Sequence, residues 1–268
     1  MWELQRIITQ KLVHGFGRHV TKKTNKESIL ALFRDLHPVE CGRPMKRLGR
    51  NGDGGYLLPD DLEGIEACFS PGVDKNSSFE FECAEIGMSV FLADASVDGP
   101  AIENRSFRFL KKFIGATSNG NYITLTNWIK SQDIGAYSEL LLQMDIEGAE
   151  YETILSTEKE ILQRFRILVV ELHFLDEFWS LPFFRVAKAA LQKLLETHAV
   201  VHIHPNNSQG LVVVDGLPTP RVAEFTFLRR DRFAASGKFM KRTDFPHPLD
   251  QDCSNAVYLP MPAWWTRY

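Results

Sequence analysis

Leu140-Leu141-Leu142-Gln143-Met144-Asp145-Ile146-Glu147-Gly148-Ala149-Glu150 is an apolar run that stops at an acidic, glycine-containing turn. Short, nearly continuous and bounded by polar residues, the run predicts a strand buried on both faces. Asp145 then stands at the strand's carboxyl end. Ligands of open α/β sheets bind outside that end, which makes a carboxylate there a candidate for chemistry. Downstream, Tyr151, Ile154, Leu155, Leu162 and Phe165 recur near the helical period. Glu147 and Glu150 fall in the first turn of that expected helix, where the dipole favours negative charge.

On the amino-terminal side, 67–70 reads as a short strand, followed by Pro71-Gly72 and a helix over about 79–86. Strand, glycine turn and helix open a nucleotide-binding βαβ unit. The turn has one glycine rather than the GxGxxG set, so the local signal is weak. Residues 89–94 read as the next strand and end on Asp94, about twenty residues after the turn, where such folds place the carboxylate that holds a ribose diol. Asp94 also suits a helix cap or turn. Further on, 107–114, ending at Gly115, reads as a third strand interrupted by Lys111 and Lys112, and 125–134 as a short helix. Residues 167–173 and 200–204 read as strands flanking an amphipathic helix marked by Phe183, Ala187, Ala190, Leu191, Leu194 and Leu195. Two more strands, 211–215 and 223–229, suggest an antiparallel pair at the sheet's end. The alternation argues for a mostly parallel sheet covered by helices on both faces, with a reversed strand near the carboxyl end.

Before this core, Arg47-Leu48-Gly49-Arg50-Asn51-Gly52-Asp53-Gly54-Gly55-Tyr56 predicts a tight hairpin leading into 56–58. Thr24 and Glu27 have capping-box spacing for a helix carrying Ile29, Leu30, Leu32, Phe33 and Leu36 and ending at Pro38. Residues 2–14 have an amphipathic helical pattern. Glu3 is the only acid before Glu27, against Arg6, Lys11, Arg18, Lys22, Lys23 and Lys26. Such an arm either packs on the domain with its lysines solvated or touches a membrane surface or polyanion. The expected organisation is a helical extension over 1–44, a Rossmann-like domain over 45–240, and an irregular tail over 241–268 packed on it.

Composition narrows the class. With 268 residues, 44% hydrophobic and 24% charged, the chain suits one globular domain with appendages and excludes a disordered class. A net charge of -3 gives no reason to expect nucleic acid as a partner. Cys41, Cys68, Cys83 and Cys253 have no CxxC spacing and suit reduced thiols. No apolar stretch is long enough to span a bilayer, and no signal-peptide pattern is present, so the expected setting is cytoplasmic.

Arg47-Leu48-Gly49 with Asp53-Gly54-Gly55-Tyr56, then Gly72 with Ser78-Phe79-Glu80, then Asp94, and above all Met144-Asp145-Ile146-Glu147-Gly148-Ala149-Glu150 resemble the FkbM-type family of S-adenosylmethionine-dependent methyltransferases. The resemblance covers roughly residues 45 to 230. It implies the Rossmann-like methyltransferase fold and O-methylation of a hydroxyl on a sugar, glycan or related small metabolite. It also implies that Ser70, Pro71 and Gly72 meet the methionine part of the cofactor, Asp94 and Ala95 the ribose, and Gly115 and Ala116 the adenine. Asp145 and Glu147 would then face the sulfonium.

Methyl transfer is an in-line displacement that alignment alone accelerates, yet a sugar hydroxyl is a poor nucleophile until its proton is removed. His173, His204 and Asp145 are the candidates for that base, although a histidine ending a buried strand also serves to satisfy a backbone carbonyl. Asp53, Tyr56, Asn206 and Asn207 are the expected acceptor contacts, and Phe174, Trp179, His204 and Trp264 are expected to overhang the crevice with them. Asp145, Glu171, His173 and His204 form an oxygen and nitrogen set suited to a divalent cation, Mg²⁺ or Mn²⁺. The chain suits an oligomer as well as a monomer. Two other classes share the opening βαβ unit. An NAD(P)-dependent sugar oxidoreductase or epimerase needs a fuller GxGxxG and often a Tyr-Lys pair, and a non-catalytic nucleotide-binding module needs no acid on the central strand.

Overall fold

The computed structural model describes residues 20–234 and 245–266. The expected helix over 2–14, most of the basic arm and the end of the aromatic tail lie outside them. Seven strands form the main sheet in the order β10-β13-β9-β8-β3-β4-β5. They are β3 (Ile65–Pro71), β4 (Ser89–Ala93), β5 (Phe107–Leu110), β8 (Glu139–Met144), β9 (Phe165–Leu172), β10 (His198–Pro205) and β13 (Ala223–Arg229). The first five run parallel, and β13 lies antiparallel between β9 and β10. This is a Rossmann-like methyltransferase sheet, with the reversed strand inserted one place in from the edge rather than at the end.

Alternation along the strands assigns the two faces. Leu140, Leu142 and Met144 join Phe69, Leu168, Val170, Phe225 and Phe227 in one core, covered by α1 (Lys26–Asp35), α3 (Leu125–Lys130), α4 (Glu150–Ser156) and α6 (Leu181–Leu195). Leu141 joins Cys68, Val90, Leu92, Ile167 and Val169 in a second core. That face is covered by α2 (Ser78–Glu85) and by the hairpin of β1 (Met45–Gly49) and β2 (Gly55–Pro59), which supplies Leu48, Tyr56 and Leu58. The hairpin closes Gly49 against Gly55, as the glycine pattern predicts, and Thr226 ties it to the sheet by donating to the Leu57 carbonyl at 2.6 Å.

Several expected elements differ in detail. The cap of α1 is Asn25, whose side chain accepts from the Glu27 amide at 2.8 Å, rather than Thr24. The strand expected over 107–114 is two: β5 stays in the sheet, while β6 (Phe113–Gly115) leaves it at Lys111 and Lys112 to pair with β7 (Tyr122–Thr124). The single helix expected after Asp145 is broken into α4 and α5 (Lys159–Leu162), and Phe165 opens β9. Thr157 turns out of the helix by donating its hydroxyl to the Thr153 carbonyl at 2.6 Å, and Lys193 of α6 donates to the Ile154 and Leu155 carbonyls, satisfying the helix end from outside. Residues 211–215 pair with β12 (Leu217–Pro220) as β11 (Leu211–Val214) in a hairpin outside the main sheet.

Trp264 and Trp265 lie in a one-turn helix, α7 (Ala263–Thr266), and are buried. Phe33 packs against both rings at centroid distances of 4.5 and 5.1 Å. Trp264 donates its indole N–H to the Pro218 carbonyl, and Trp179 is buried in the same core. Neither tryptophan overhangs the crevice, because both are spent on packing. No helix among the described residues is long and apolar enough to cross a membrane.

His198, fully buried at the start of β10, donates from Nε2 to the Phe165 carbonyl at 2.7 Å, while Nδ1 lies 2.8 Å from the Thr197 hydroxyl. Burial lowers its pKa from 6.5 to about 4, so the unfolded chain takes a proton in a pH range where the folded protein does not. That contribution to stability is full above pH 6.5 and is lost as the pH falls towards 4. It amounts to about 3 kcal/mol in the limit. Denaturant titrations across this window should show a shallower pH dependence for His198→Gln than for the wild type. Equal slopes would exclude His198 as their source.

Candidate active site

The same alternation that builds the two cores sets a polar row at the carboxyl end of the sheet. On the face carrying the hairpin, that row consists of Ser70, Gln143, Glu171 and His204 near the ends of β3, β8, β9 and β10, and Glu224 near the start of the antiparallel β13, all buried. Glu171 pairs in register with Glu224, and Glu224 with His204. Ser70 Oγ stands 2.6 Å from both Glu80 Oε1 and Gln143 Oε1, and Gln143 donates to the Tyr56 hydroxyl at 3.0 Å. One hydroxyl hydrogen serves only one of those two acceptors. Burial raises the Glu80 pKa, opposed by the hydrogen bond it accepts from Ser70. Ser70 and Tyr56 thus act inside a buried network that floors the crevice.

Above this floor lies a cavity of about 680 Å³ lined by Arg50, Asp53, Gly54 and Tyr56 from the hairpin, Gly72 to Asn76 from the first turn, Asp94, Ser96 and Val97, and Gln143, Asp145 and Glu147. Gly72 is required by contact. At φ +90° a Cβ would sit 1.6 Å from the Asp145 carbonyl oxygen, because the ends of β3 and β8 touch there. Asp94 accepts from the Val73 amide at 3.0 Å and from the Ser96 amide and hydroxyl at 2.6 Å, tying the first turn to the end of β4. Pro71 accepts from the Asp145 amide at 3.2 Å.

The acidic turn is organised by Glu150. Fully buried at the start of α4, its Oε1 accepts from the Ile146 amide at 3.2 Å and the Gly148 amide at 3.0 Å, and lies 3.1 Å from His173 Nδ1. Glu147 and Phe174 both adopt left-handed backbone, at φ 57° each, and the Phe174 ring lies over Gly148. Non-glycine residues held in that region concentrate at functional sites. With Nδ1 donating to Glu150, the neutral His173 ring presents its Nε2 lone pair, 3.8 Å from Asp145 Oδ1 and 3.5 Å from the exposed Glu147 carboxylate. The Tyr151 hydroxyl donates to the His173 carbonyl at 2.7 Å and fixes the backbone.

Asp145, Glu171 and His173 each bring one ligand-type atom within 4.8 Å of the others. Burial raises the Asp145 pKa to about 7, with Glu147 and Glu150 adding to the rise and His173 opposing it. Burial also raises Glu171 well above the usual carboxylate range, reinforced by Asp145 and Glu224. For His173 burial opposes the charged form, but the hydrogen bond and charge of Glu150, with Asp145 and Glu147, carry its pKa above 6.5.

The expected site residues are therefore brought together only in part. Gly72, Asp94, Asp145, Glu147, Asp53 and Tyr56 line the cavity, and His173 adjoins it through Asp145. Ala95, Gly115 and Ala116 lie off its lining, with Gly115 backed by the Tyr122 ring. His204 lies apart from Asp145 and His173, in a second cavity of about 260 Å³ where Nδ1 is 3.7 Å from Asp250 Oδ2. Asn206 is buried and donates to Glu171 Oε1 at 2.7 Å, and Asn207 is buried and bonded to Ser254 and Ala256 of the tail. These two asparagines hold other residues in place. Sequence reasoning missed the tie from Glu150 to His173 and the network around Gln143. A polar residue inside the run Leu140–Met144 was the available signal for the second.

A mostly parallel seven-stranded sheet with its reversed strand inserted beside β9, and an acidic cavity over the carboxyl ends, give the chain the Rossmann-like methyltransferase fold. Residues 106–204 match the family model described as the Methyltransferase FkbM domain. No curated protein matches the chain. Among solved structures it is similar to a candidate methyltransferase from an antibiotic biosynthesis pathway of Anabaena variabilis ATCC 29413, with 9% identity, TM-score 0.27, and 73% of this chain and 69% of that chain covered. A second is a structure described under conversion of a disulfide bond into a thioacetal group during echinomycin biosynthesis, with 13% identity, TM-score 0.29, and coverage of 76% and 91%.

Proposed function

We propose that the chain is an S-adenosylmethionine-dependent O-methyltransferase acting on a hydroxyl of a sugar, glycan or related small metabolite in the cytoplasm. The observation that carries this reading is the imidazole of His173, held by buried Glu150 and turned with Nε2 towards Asp145 at the carboxyl end of the central strand. A methyltransferase aimed at an already nucleophilic amine or thiol has less use for an oriented base beside its central carboxylate. The cytoplasmic setting is supported by four cysteines present as free thiols.

The cavity has the charge to receive the cofactor, since Asp94, Asp145 and Glu147 face a molecule that carries a sulfonium and an ammonium group. S-adenosylmethionine supplies a methyl group on a positively charged sulfur, which leaves as a neutral thioether. The chain's own residues do the rest. Asp94 and the turn at Gly72 hold the ribose and methionine ends, and Asp145 and Glu147 offer negative charge beside the sulfonium. His173 Nε2 and its carboxylate neighbours deal with the acceptor proton. Asp53 and Arg50, on the hairpin rim, are placed to meet the acceptor.

Asp94→Ala should weaken S-adenosylmethionine binding by about 1.5–3 kcal/mol, through loss of charge-assisted hydrogen bonds. Calorimetric titration tests this, and unchanged affinity in a folded variant would remove Asp94 from the cofactor site. The acceptor class is tested by following S-adenosylhomocysteine release over glycosides, nucleotide sugars, small phenols and peptides. Turnover on glycosides or nucleotide sugars is expected, and turnover only on phenols or peptides would overturn the acceptor assignment. Tight binding of NAD without any binding of S-adenosylhomocysteine would overturn the cofactor.

A further inference from the structure

We infer that Asp145, Glu171 and His173 bind one hard divalent cation, of the Mn²⁺ or Mg²⁺ type, at the carboxyl ends of β8 and β9. The inference rests on the proposed methyltransferase site and names the ion that completes it. Three observations support it independently of that reading. The first is spacing. Ligand atoms of the three residues all lie within 4.8 Å of one another, and donors about 2.1–2.4 Å from a shared cation are at most about 4.2–4.8 Å apart.

The second observation is unmet hydrogen-bonding capacity. Asp145 Oδ1 and Glu171 Oε2 are buried and have no hydrogen-bond partner, and the Glu171 side chain as a whole is 4% exposed. Its other oxygen is held by Asn206, so the carboxylate cannot turn away to find a donor without breaking that bond. Buried carboxylate oxygens are costly to leave unmet, and two such carboxylates in one cluster are costlier still. A divalent cation bound by both carboxylates would offset both penalties.

The third is the arrangement behind the histidine. Glu150 takes the Nδ1 hydrogen of His173, leaving Nε2 as the donor atom, and a carboxylate behind a ligating imidazole is the usual support of a metal-bound histidine. Asn206 plays the matching role behind Glu171. One imidazole with two carboxylates and open positions suits a hard divalent ion better than a thiolate-bound or four-coordinate structural zinc. His204, the fourth member of the set expected from sequence, is excluded because it pairs with Asp250 instead. At this position the cation would supply Lewis acidity beside the acceptor hydroxyl, and with Nε2 serving as its ligand the acceptor proton would pass to the exposed Glu147 carboxylate rather than to His173.

The test uses the full chain, freed of metal with a chelator and titrated with Mn²⁺, following free Mn²⁺ by electron paramagnetic resonance and protein stability by thermal denaturation. One Mn²⁺ per chain is expected, with a rise in melting temperature and displacement by excess Mg²⁺. Glu171→Gln, nearly isosteric, should weaken Mn²⁺ binding at least tenfold, and Asp145→Asn should do the same, while His204→Gln leaves it unchanged. Absence of Mn²⁺ binding to the folded wild type, or binding equally tight in folded Glu171→Gln, would overturn the inference. These readouts need neither methyl donor nor acceptor. Failure to methylate any hydroxyl would remove the proposed reaction and leave the ion standing, whereas methyl transfer by a protein that binds no Mn²⁺ would remove the ion alone.

Discussion

His173→Ala should turn over the acceptor about 10²–10⁴-fold more slowly than the wild type while binding S-adenosylmethionine with nearly unchanged affinity. The separation follows from where the ring sits. Its Nδ1 is committed to Glu150, and its Nε2 faces Asp145 and Glu147 rather than the turn at Gly72 or the Asp94 carboxylate. Removing it takes away the imidazole proposed to act on the acceptor, as base or as cation ligand, and leaves the expected ribose and methionine contacts in place. The backbone should hold as well, because Tyr151 bonds to the His173 carbonyl and not to the ring. Single-turnover methyl transfer, read beside calorimetric cofactor affinity, distinguishes the outcomes. A large loss of cofactor binding would make His173 part of the cofactor pocket, and retained turnover would leave alignment alone as the source of rate.

The elements that could be read from the sequence are those in which local pattern and tertiary packing agree. The apolar run ending at Asp145 became β8, the run ending before His173 became β9, and the glycine-rich segment 47–56 became the hairpin. Readings failed where a distant partner decided the outcome. Leu155, Leu162 and Phe165 fit one helical period, but Thr157 and Lys193 end α4 after seven residues, and only the fold brings Lys193 there. Asn25 outcompetes Thr24 as a cap because the Thr24 amide is drawn into a bond with the Trp179 carbonyl.

The site divides along the same line. Asp94, Asp145 and His173 directly follow strand ends, and strand ends are marked by where an apolar run stops; Glu147 lies in the turn that follows. The partnership of Glu150 with His173 joins residues on successive elements through ring orientation, which periodicity does not encode. The asparagines at 206 and 207 look like a polar loop in sequence. In the fold they face inward, one supporting Glu171 and the other anchoring the tail. His204 has the same appearance as His173, a histidine at the end of a strand, and was parted from it by the insertion of β13 between β9 and β10.

Two glycines of the site should respond very differently to alanine. Both have positive φ, +90° at Gly72 and +107° at Gly148, so each substitution carries backbone strain of about 1–2 kcal/mol. What the new methyl group meets decides the rest. At Gly148 the obstacle is the Phe174 ring, 2.1 Å from the added Cβ, but that side chain is 47% exposed and can swing into solvent. At Gly72 the obstacle is backbone, the Asp145 carbonyl oxygen at 1.6 Å. Neither strand can yield, since the Gly72 amide donates to Ala93 and the Asp145 amide donates to Pro71, locking β3 between β4 and β8. Gly72→Ala should therefore lose more than about 4 kcal/mol of stability and all measurable cofactor binding, whereas Gly148→Ala should stay within about 2 kcal/mol of wild type. Denaturant unfolding of the two variants side by side measures the contrast. A Gly72→Ala protein as stable as Gly148→Ala would mean that β3 and β8 do not meet at Asp145, and the crevice would then need a different floor.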